Sequence, residues 1–387
     1  MHEILKEILI EIYYMNNFCS APFRGFYQGL DGKISVCCQT PVLIDNKNYE
    51  EALQDEKIKN LRKKFLKNEI PVECKGCTKR VRNETTKLCE SDNENFKIDE
   101  HVPVFLDLLW SNKCNFSCMG CNPRISSSML KYKSAVDLVD PYNTLDANYS
   151  WDSSEEQQNR IDFILKHKNT IKSIHLNGGE PLMQEGFYDL LEQLIKHNAT
   201  NIGIWSHTNG SITTYKKKDI LQLLKQFDKC KIIMSHDGIG NKGEYVRFGL
   251  KQDVWLKNYN RFISENIQVD VQVCYNVFNC LQLEKMADWY EENLKVKPNL
   301  SLWNWPPAYS AQYIKKNKKL HEEAMLILDT HGKRFRKYEY VIDFMKQPFE
   351  YDTEEIHWRF SESISEFDRI RETDFLKTFP ELEELYY

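Results

Sequence analysis

The sequence predicts an α/β protein: a parallel sheet in a partial (β/α)6 barrel, preceded by a small α+β metal-binding domain. Two observations carry this. From about residue 102, apolar runs of strand length alternate with helical stretches, and that alternation gives right-handed βαβ units on a parallel sheet. The units number six, which fits an incomplete barrel better than a closed eight-stranded one.

The strands are expected at 103–111, 171–177, 201–207, 231–236, 269–277 and 299–304, and the helices between them at 186–197, 215–228, 252–265 and 281–294. Unusual residues collect where these strands end, the end at which barrels of this kind do their chemistry. Successive side chains on a strand point to opposite faces. Gln272, Cys274 and Asn276 therefore face the interior while Val271, Val273 and Tyr275 meet the helices; Ser235, Asp237, Ser301, Trp303 and Trp305 also point inward. Trp303, Trp305 and Tyr275 either wall a substrate space or belong to the core.

Residues 1–100 read as a separate domain, 101–310 as the barrel and 311–387 as a helical C-terminal extension. Met1–Ile12 is an amphipathic helix interrupted by Glu3, Lys6, Glu7 and Glu11, and is no signal peptide. Asp31-Gly32-Lys33 marks a hairpin turn, and a charged helix spans roughly Tyr49 to Lys67. The stretch from Asp137 to Asn159 is the most loop-like.

Fifty-two Lys and Arg stand against 57 Asp and Glu, a net charge of −5. There is no basic excess for a phosphate backbone, so nucleic acid is not an expected partner. Lys216-Lys217-Lys218 reads as a solvated helix face. No run of about 18 apolar residues predicts a membrane span. Twelve cysteines without a secretion signal indicate a reducing compartment, the cytoplasm, where clustered thiols bind metal or do chemistry.

The densest chemistry is at Cys114, Cys118 and Cys121, a C-x3-C-x2-C loop directly after the first barrel strand. Three thiolates there can hold three irons of a [4Fe–4S] cluster and leave the fourth iron open to a small molecule. Zinc would need a fourth ligand nearby, and Asn122-Pro123-Arg124-Ile125 offers none. Upstream, Cys19, Cys37, Cys74 and Cys77 form two separated pairs, one of them C-x2-C. Such pairs build tetrahedral thiolate sites, and the spacing leaves zinc and iron–sulfur both open.

The three-cysteine loop, with Gly178-Gly179-Glu180-Pro181 after the second strand, resembles the radical S-adenosylmethionine (SAM) superfamily. One departure is Gly120 before the third cysteine, where the family usually keeps an aromatic or large apolar residue; Met119 is the candidate to replace it against the adenine. Cys19-x12-Gly32-x4-Cys37 and Cys74-x2-Cys77 are similar to the opening and closing of the SPASM and twitch auxiliary-cluster domains. A single-cluster twitch domain matches best, placed before the barrel rather than after it.

What the resemblance implies is an enzyme that reductively cleaves SAM to a 5′-deoxyadenosyl radical and abstracts hydrogen from a substrate. Its cofactors would be a [4Fe–4S] cluster at the SAM site, SAM itself, and a second [4Fe–4S] cluster in the N-terminal domain as redox partner. Gly178 and Gly179 would let the backbone approach the methionine moiety, Pro181 would fix the bend, and Glu180 would accept from the amine. Ser206, Thr208 and Asn209 are candidates for the ribose hydroxyls or the carboxylate, with Ser235 behind them; the alternative for each is a strand-end turn cap. Arg247 is either a carboxylate clamp or a salt bridge, and His175, His207 and His236 are either proton acceptors or hydrogen-bonded structure.

The substrate class stays open between a peptide or protein and a sugar or other small molecule, with a flavodoxin- or ferredoxin-type reductant as partner. The competing reading is a non-catalytic binding protein with a zinc ribbon before an α/β domain. A SAM methyltransferase without radical chemistry has no need of the three-cysteine loop.

Overall fold

A computed structural model describes residues 17–46, 48–90, 96–140 and 154–387. The expected helix at Met1–Ile12 lies outside the described residues, as does most of the 137–159 stretch. The described parts of that stretch belong to helices, Lys133–Val139 and Ser154–Lys166.

The strands are β1 (Gly25–Gln28), β2 (Ile34–Ser35), β3 (Phe105–Leu109), β4 (Ser117–Cys118), β5 (Ser173–Asn177), β6 (Gly203–Thr208), β7 (Thr214–Tyr215), β8 (Lys218–Asp219), β9 (Cys230–Ser235), β10 (Arg247–Phe248), β11 (Gln268–Tyr275) and β12 (Asn299–Leu302). Eight of them form one sheet in the order β12-β11-β9-β6-β5-β3-β1-β2. From β3 to β12 every pairing in it is parallel, so all six expected strands are present and adjacent in chain order. The helices between them are amphipathic. Glu185–Lys196 buries Phe187, Tyr188, Leu190, Leu191 and Leu194, and Gln252–Ser264 buries Trp255, Tyr259 and Phe262.

The N-terminal hairpin is part of the same sheet. Its turn contains Gly32 at φ 69°, and β1 pairs parallel with β3, Tyr27 opposite Asp107. Phe23, Phe26, Leu53 and Phe65 lie in one hydrophobic core with Leu106, Ile174 and Ile204. Arg62 ties the segment internally, donating to the carbonyls of Pro22 (2.7 Å), Leu53 (2.6 Å) and Ile98 (2.9 Å). The expected 49–67 helix is interrupted, forming Tyr49–Leu53 and Glu56–Leu66, because Asp55 accepts from Lys57 N–H and starts a second helix.

Two expectations are corrected. Residues 214–219 form the small β7–β8 hairpin, not a helix, with Lys216 and Lys217 at φ 45° and 69°. The helix begins only at Ile220, where Asp219 caps it through Leu221 N–H, and Lys218 reaches across to Glu192 (2.9 Å). The tryptophans also separate: Trp303 is buried, Trp305 is 43% exposed, and Tyr275 is wholly buried in the core.

The C-terminal extension folds onto the cysteine loop. Its long helix, Thr353–Arg371, packs against Lys133–Val139, and the Phe367 ring meets that of Tyr132 at a tilt, with centroids 5.6 Å apart. Among the described residues no helix is long and apolar enough to cross a membrane.

His236, just past β9, is a core residue. It is fully buried, its Nδ1 lies 2.9 Å from the Tyr290 hydroxyl, and its ring stacks on Trp289. Burial, helped by the Arg247 cation, pulls its pKa from 6.5 down to about 3. Between those values the unfolded chain binds a proton that the folded chain refuses, so stability present at neutral pH is lost as the pH falls. The loss is up to about 1.4 kcal/mol per pH unit inside that window. His236→Gln is expected to show a smaller drop in urea midpoint between pH 7 and pH 5 than the wild type; an equal drop would place the acid sensitivity elsewhere.

Candidate functional site

The three-cysteine loop leaves β3 and is pinned from three sides. β4 pairs with β10, Cys118 opposite Arg247 and Ser117 opposite Phe248, and Met119 N–H donates to Val246 O (2.8 Å). Ser128 Oγ donates to Cys114 O (2.8 Å) and Phe116 O (2.9 Å), and Ser126 Oγ to Phe116 O (3.0 Å).

The third support is the Gly-Gly-Glu-Pro turn. Gly179 N–H donates to Ile125 O (3.0 Å) and Glu180 N–H to Lys113 O (2.8 Å). A Cβ on Gly179 would lie 2.3 Å from Lys113 O, and one on Gly178 2.8 Å from Ser111 O; both residues have positive φ, 43° and 86°. Glycine is needed here because two backbones lie in contact, the turn and the cysteine loop.

Glu180 turns into the protein. It is fully buried; Oε1 accepts from Thr208 Oγ1 (2.8 Å) and Leu182 N–H (3.0 Å), and Oε2 from Asn209 N–H (2.6 Å). Burial raises its pKa to about 7 against these three donors. Pro181 starts the short 3-10 turn Pro181–Met183 that follows. Ser206 is also fully buried and donates to the carbonyls of His207 (3.0 Å) and Leu176 (3.4 Å). Ser206 and Thr208 share the face of Ile204, opposite to Trp205 and His207, and Thr208 Oγ1 also accepts from Gly210 N–H (3.1 Å). Asn209 does reach the cysteine loop: its Nδ2 donates to Asn115 Oδ1 (2.8 Å) and lies 3.9 Å from Cys114 Sγ. Ser235 is half-buried in register with Gln272, away from these contacts.

The thiols converge. The neighbouring thiols of Cys118 and Cys121 act on one another, lowering Cys118 to about 7 and raising Cys121; burial opposes the first shift, and the Arg247 cation assists it. Cys114 is raised to about 11 by burial and then by Cys118. Arg247 is buried in an ion pair with Asp237 (2.8 Å), whose other oxygen accepts from Cys274 N–H (2.7 Å). This is neither a surface bridge nor a free clamp. Met119 is buried, and the ring beside Gly120 belongs to Trp303: a Cβ on Gly120 would lie 2.2 Å from it. The aromatic group next to Cys121 thus comes from the far strand end, after β12.

The N-terminal thiols also gather. Burial raises Cys19 and Cys74 to about 12; Cys37 and Cys74 add to the first shift, Cys37 and Cys77 to the second. Cys74 and Cys77 form a tight knuckle, Cys77 N–H donating to Cys74 O (3.1 Å), and Arg82 donates to Cys77 O. One thiol of each group, Cys37 and Cys121, lines a cavity of about 570 Å³, together with Cys38, Gly178 and Gly179.

The wall of that cavity holds a polar network which sequence patterning had only partly indicated. Asp107 accepts from Asn177 Nδ2 (2.8 Å), and burial raises it to about 6. His175 Nε2 and Asn177 Oδ1 lie 3.0 and 2.7 Å from His207 Nδ1. Burial lowers the two histidines to about 4 and about 3, so both rings are neutral at pH 7. Asp107 was legible from alternation, since it faces His175 across β3–β5.

The donor set fits iron–sulfur chemistry: soft thiols, partly buried, grouped in threes and fours. Among the described residues no three His, Cys, Asp or Glu side chains close around one metal ion. A cubane takes each thiolate on a different iron, so its ligands need not crowd around one centre as they do at zinc, where each sulfur sits about 2.3 Å from the ion.

Comparison with known proteins gives one sequence-family match, to the 4Fe-4S single cluster domain over residues 105–237. That span holds the three-cysteine loop, the Gly-Gly-Glu-Pro turn and strands β3 to β9. No curated protein sequence matches the chain. Among solved structures, histidine-tagged anSMEcpe with bound AdoMet is 18% identical, covering 59% of this chain and 60% of that one, with a TM-score of 0.42. Streptococcus suis SuiB is 16% identical over 76% of this chain and 54% of its own (TM-score 0.40). SuiB bound to precursor peptide SuiA is 18% identical over 88% and 70% (TM-score 0.38). The chain therefore spans about 60% of the anSMEcpe chain it is similar to.

Gly179→Ala tests the contact between turn and cysteine loop. A left-handed alanine costs roughly 1–2 kcal/mol by itself, and here the Cβ also strikes the Lys113 carbonyl. Gly240, at φ +56° with nothing within 4 Å of its Cβ position, supplies the control. Gly179→Ala is expected to lower both the urea midpoint and the iron retained after anaerobic reconstitution, and Gly240→Ala only the midpoint, by less. Full iron retention in Gly179→Ala would show that the loop does not need this support.

Proposed function

We propose that this chain is a radical SAM enzyme with two iron–sulfur sites: an open-iron [4Fe–4S] cluster on Cys114, Cys118 and Cys121, and an auxiliary [4Fe–4S] cluster on Cys19, Cys37, Cys74 and Cys77. The observation that carries the proposal is the shared cavity, which has Cys121 with Gly178 and Gly179 on one side and Cys37 with Cys38 on the other. The 4Fe-4S single cluster match over residues 105–237 supports the first site. The six parallel strands are consistent with a partial (β/α)6 barrel over 101–310; the proposed auxiliary-cluster segment, 1–100, joins the same sheet through its hairpin, and 311–387 is the C-terminal extension.

When bound, the cluster and SAM supply one-electron reduction and a 5′-deoxyadenosyl radical that removes hydrogen from a substrate. The protein's own residues do the rest. Asn115 and Asn209 fix the Cys114 side of the loop, Trp303 shields the Cys121 side, and the turn at 178–180 holds the loop at the strand ends. Asp107, with His175 and His207 behind it, is the group on the cavity wall able to take a proton from an oxidised substrate. Four cysteine ligands would leave the auxiliary cluster no open iron, so its role is electron transfer. The substrate is a peptide or a small molecule, and a flavodoxin- or ferredoxin-type protein is the proposed reductant. A cytoplasmic location is part of the same proposal.

Anaerobic reconstitution tests the reading. The wild type is expected to bind about eight irons with matching sulfide, four per cubane, and to form 5′-deoxyadenosine from SAM under dithionite. The Cys114/Cys118/Cys121 triple Ala variant is expected to keep only the N-terminal iron and form none. Stoichiometric zinc without sulfide would instead identify a metal-stabilised binding protein.

A further inference from the structure

The C-terminal helix Thr353–Arg371 ends in a side chain that the reaction outlined above does not use. Arg371 is 7% exposed and its guanidinium lies behind the cysteine loop. One nitrogen donates to the carbonyl of Ser117 (2.5 Å), the residue before Cys118; another donates to Met119 Sδ (3.1 Å), the residue after it, and to Tyr245 O (3.2 Å). The rings of Tyr132, Phe248 and Phe367 enclose it at 4.9, 4.8 and 4.4 Å.

Among the described residues Arg371 has no carboxylate within ion-pair distance, and its Nε has no hydrogen-bond partner. Carbonyls, a thioether and ring faces solvate a cation only in part, and a buried charge without a counter-charge is costly. Arg247, on the strand that pairs with the loop, is already neutralised by Asp237. The three thiols, by contrast, carry negative charge once they bind metal.

We infer that Arg371 is a positioning residue for the cysteine-loop cluster: the C-terminal helix supplies the counter-charge to its thiolates and so sets its reduction potential. The inference rests on the proposed cluster at Cys114, Cys118 and Cys121. Charge, hydrogen bonding and burial around a cluster are the means by which a protein tunes that potential. A fixed cation beside the cluster favours the reduced, more negative form.

The test uses full-length wild type, Arg371→Met and Arg371→Lys, each reconstituted anaerobically. Iron and sulfide are measured, and the EPR signal that responds to SAM is followed in a redox titration. The expected result is a more negative midpoint potential for Arg371→Met than for wild type, with Arg371→Lys close to wild type. A purely structural clamp would not separate the two variants by charge. Equal potentials in all three proteins, or the same drop in both variants, would overturn the inference. If Arg371→Met binds no iron, retention of the cluster by Arg371→Lys supports the role of charge, and loss in both overturns it. A wild type that binds no iron–sulfur cluster would remove the proposed function itself, and this inference with it.

Discussion

The backbone of residues 178–180 lies directly against that of residues 111–114, and the placement of the cysteine loop depends on this contact. Two glycines with positive φ let the chains touch, and Glu180 fastens the turn to the end of β6 through Thr208 and Asn209. A fully buried carboxyl with three donors is an expensive way to join two strand ends unless their relative position matters. Here it determines where three thiols stand with respect to the strands on either side.

The same loop is held electrostatically. Arg247, with its Asp237 partner, and Arg371, without one, both favour the anion at Cys118, while burial and the neighbouring thiols hold Cys114 and Cys121 raised. The neighbouring cavity wall carries the opposite tendency: Asp107 is raised and His175 and His207 are lowered, so all three resist charge. The N-terminal hairpin shares this arrangement because β1 continues the sheet beside β3 and brings Cys37 and Cys38 to the cavity.

Much of this was legible in the sequence, for physical reasons. Cysteine spacing on one loop fixes which thiols are neighbours, and the six strands stand out because buried parallel strands are apolar and short. The alternation that placed Cys274 inward would also have assigned Ser206 and Thr208 to the helix side, had it been applied to β6; their hydroxyl chemistry drew attention instead. The tight turn at Lys216 and Lys217 was hidden because lysines in a charged run read as helix. Alternation turned Trp303 inward without showing that it meets the cysteine loop, and Arg371 could not be found from spacing at all. Each meets the cysteine loop from more than a hundred and eighty residues away, through packing of the C-terminal helix and the last strand end. Short-range pattern identifies candidate ligands; the groups packed around them arrive through tertiary structure.

The central claim is that the loop at Cys114, Cys118 and Cys121 holds a cluster with one iron free to bind SAM. EPR spectra of the dithionite-reduced, reconstituted chain, recorded with and without SAM, test it most directly. The account predicts that SAM changes the spectrum of the wild type and has no effect on that of Cys118→Ala. Iron bound at the loop with a spectrum indifferent to SAM would contradict it.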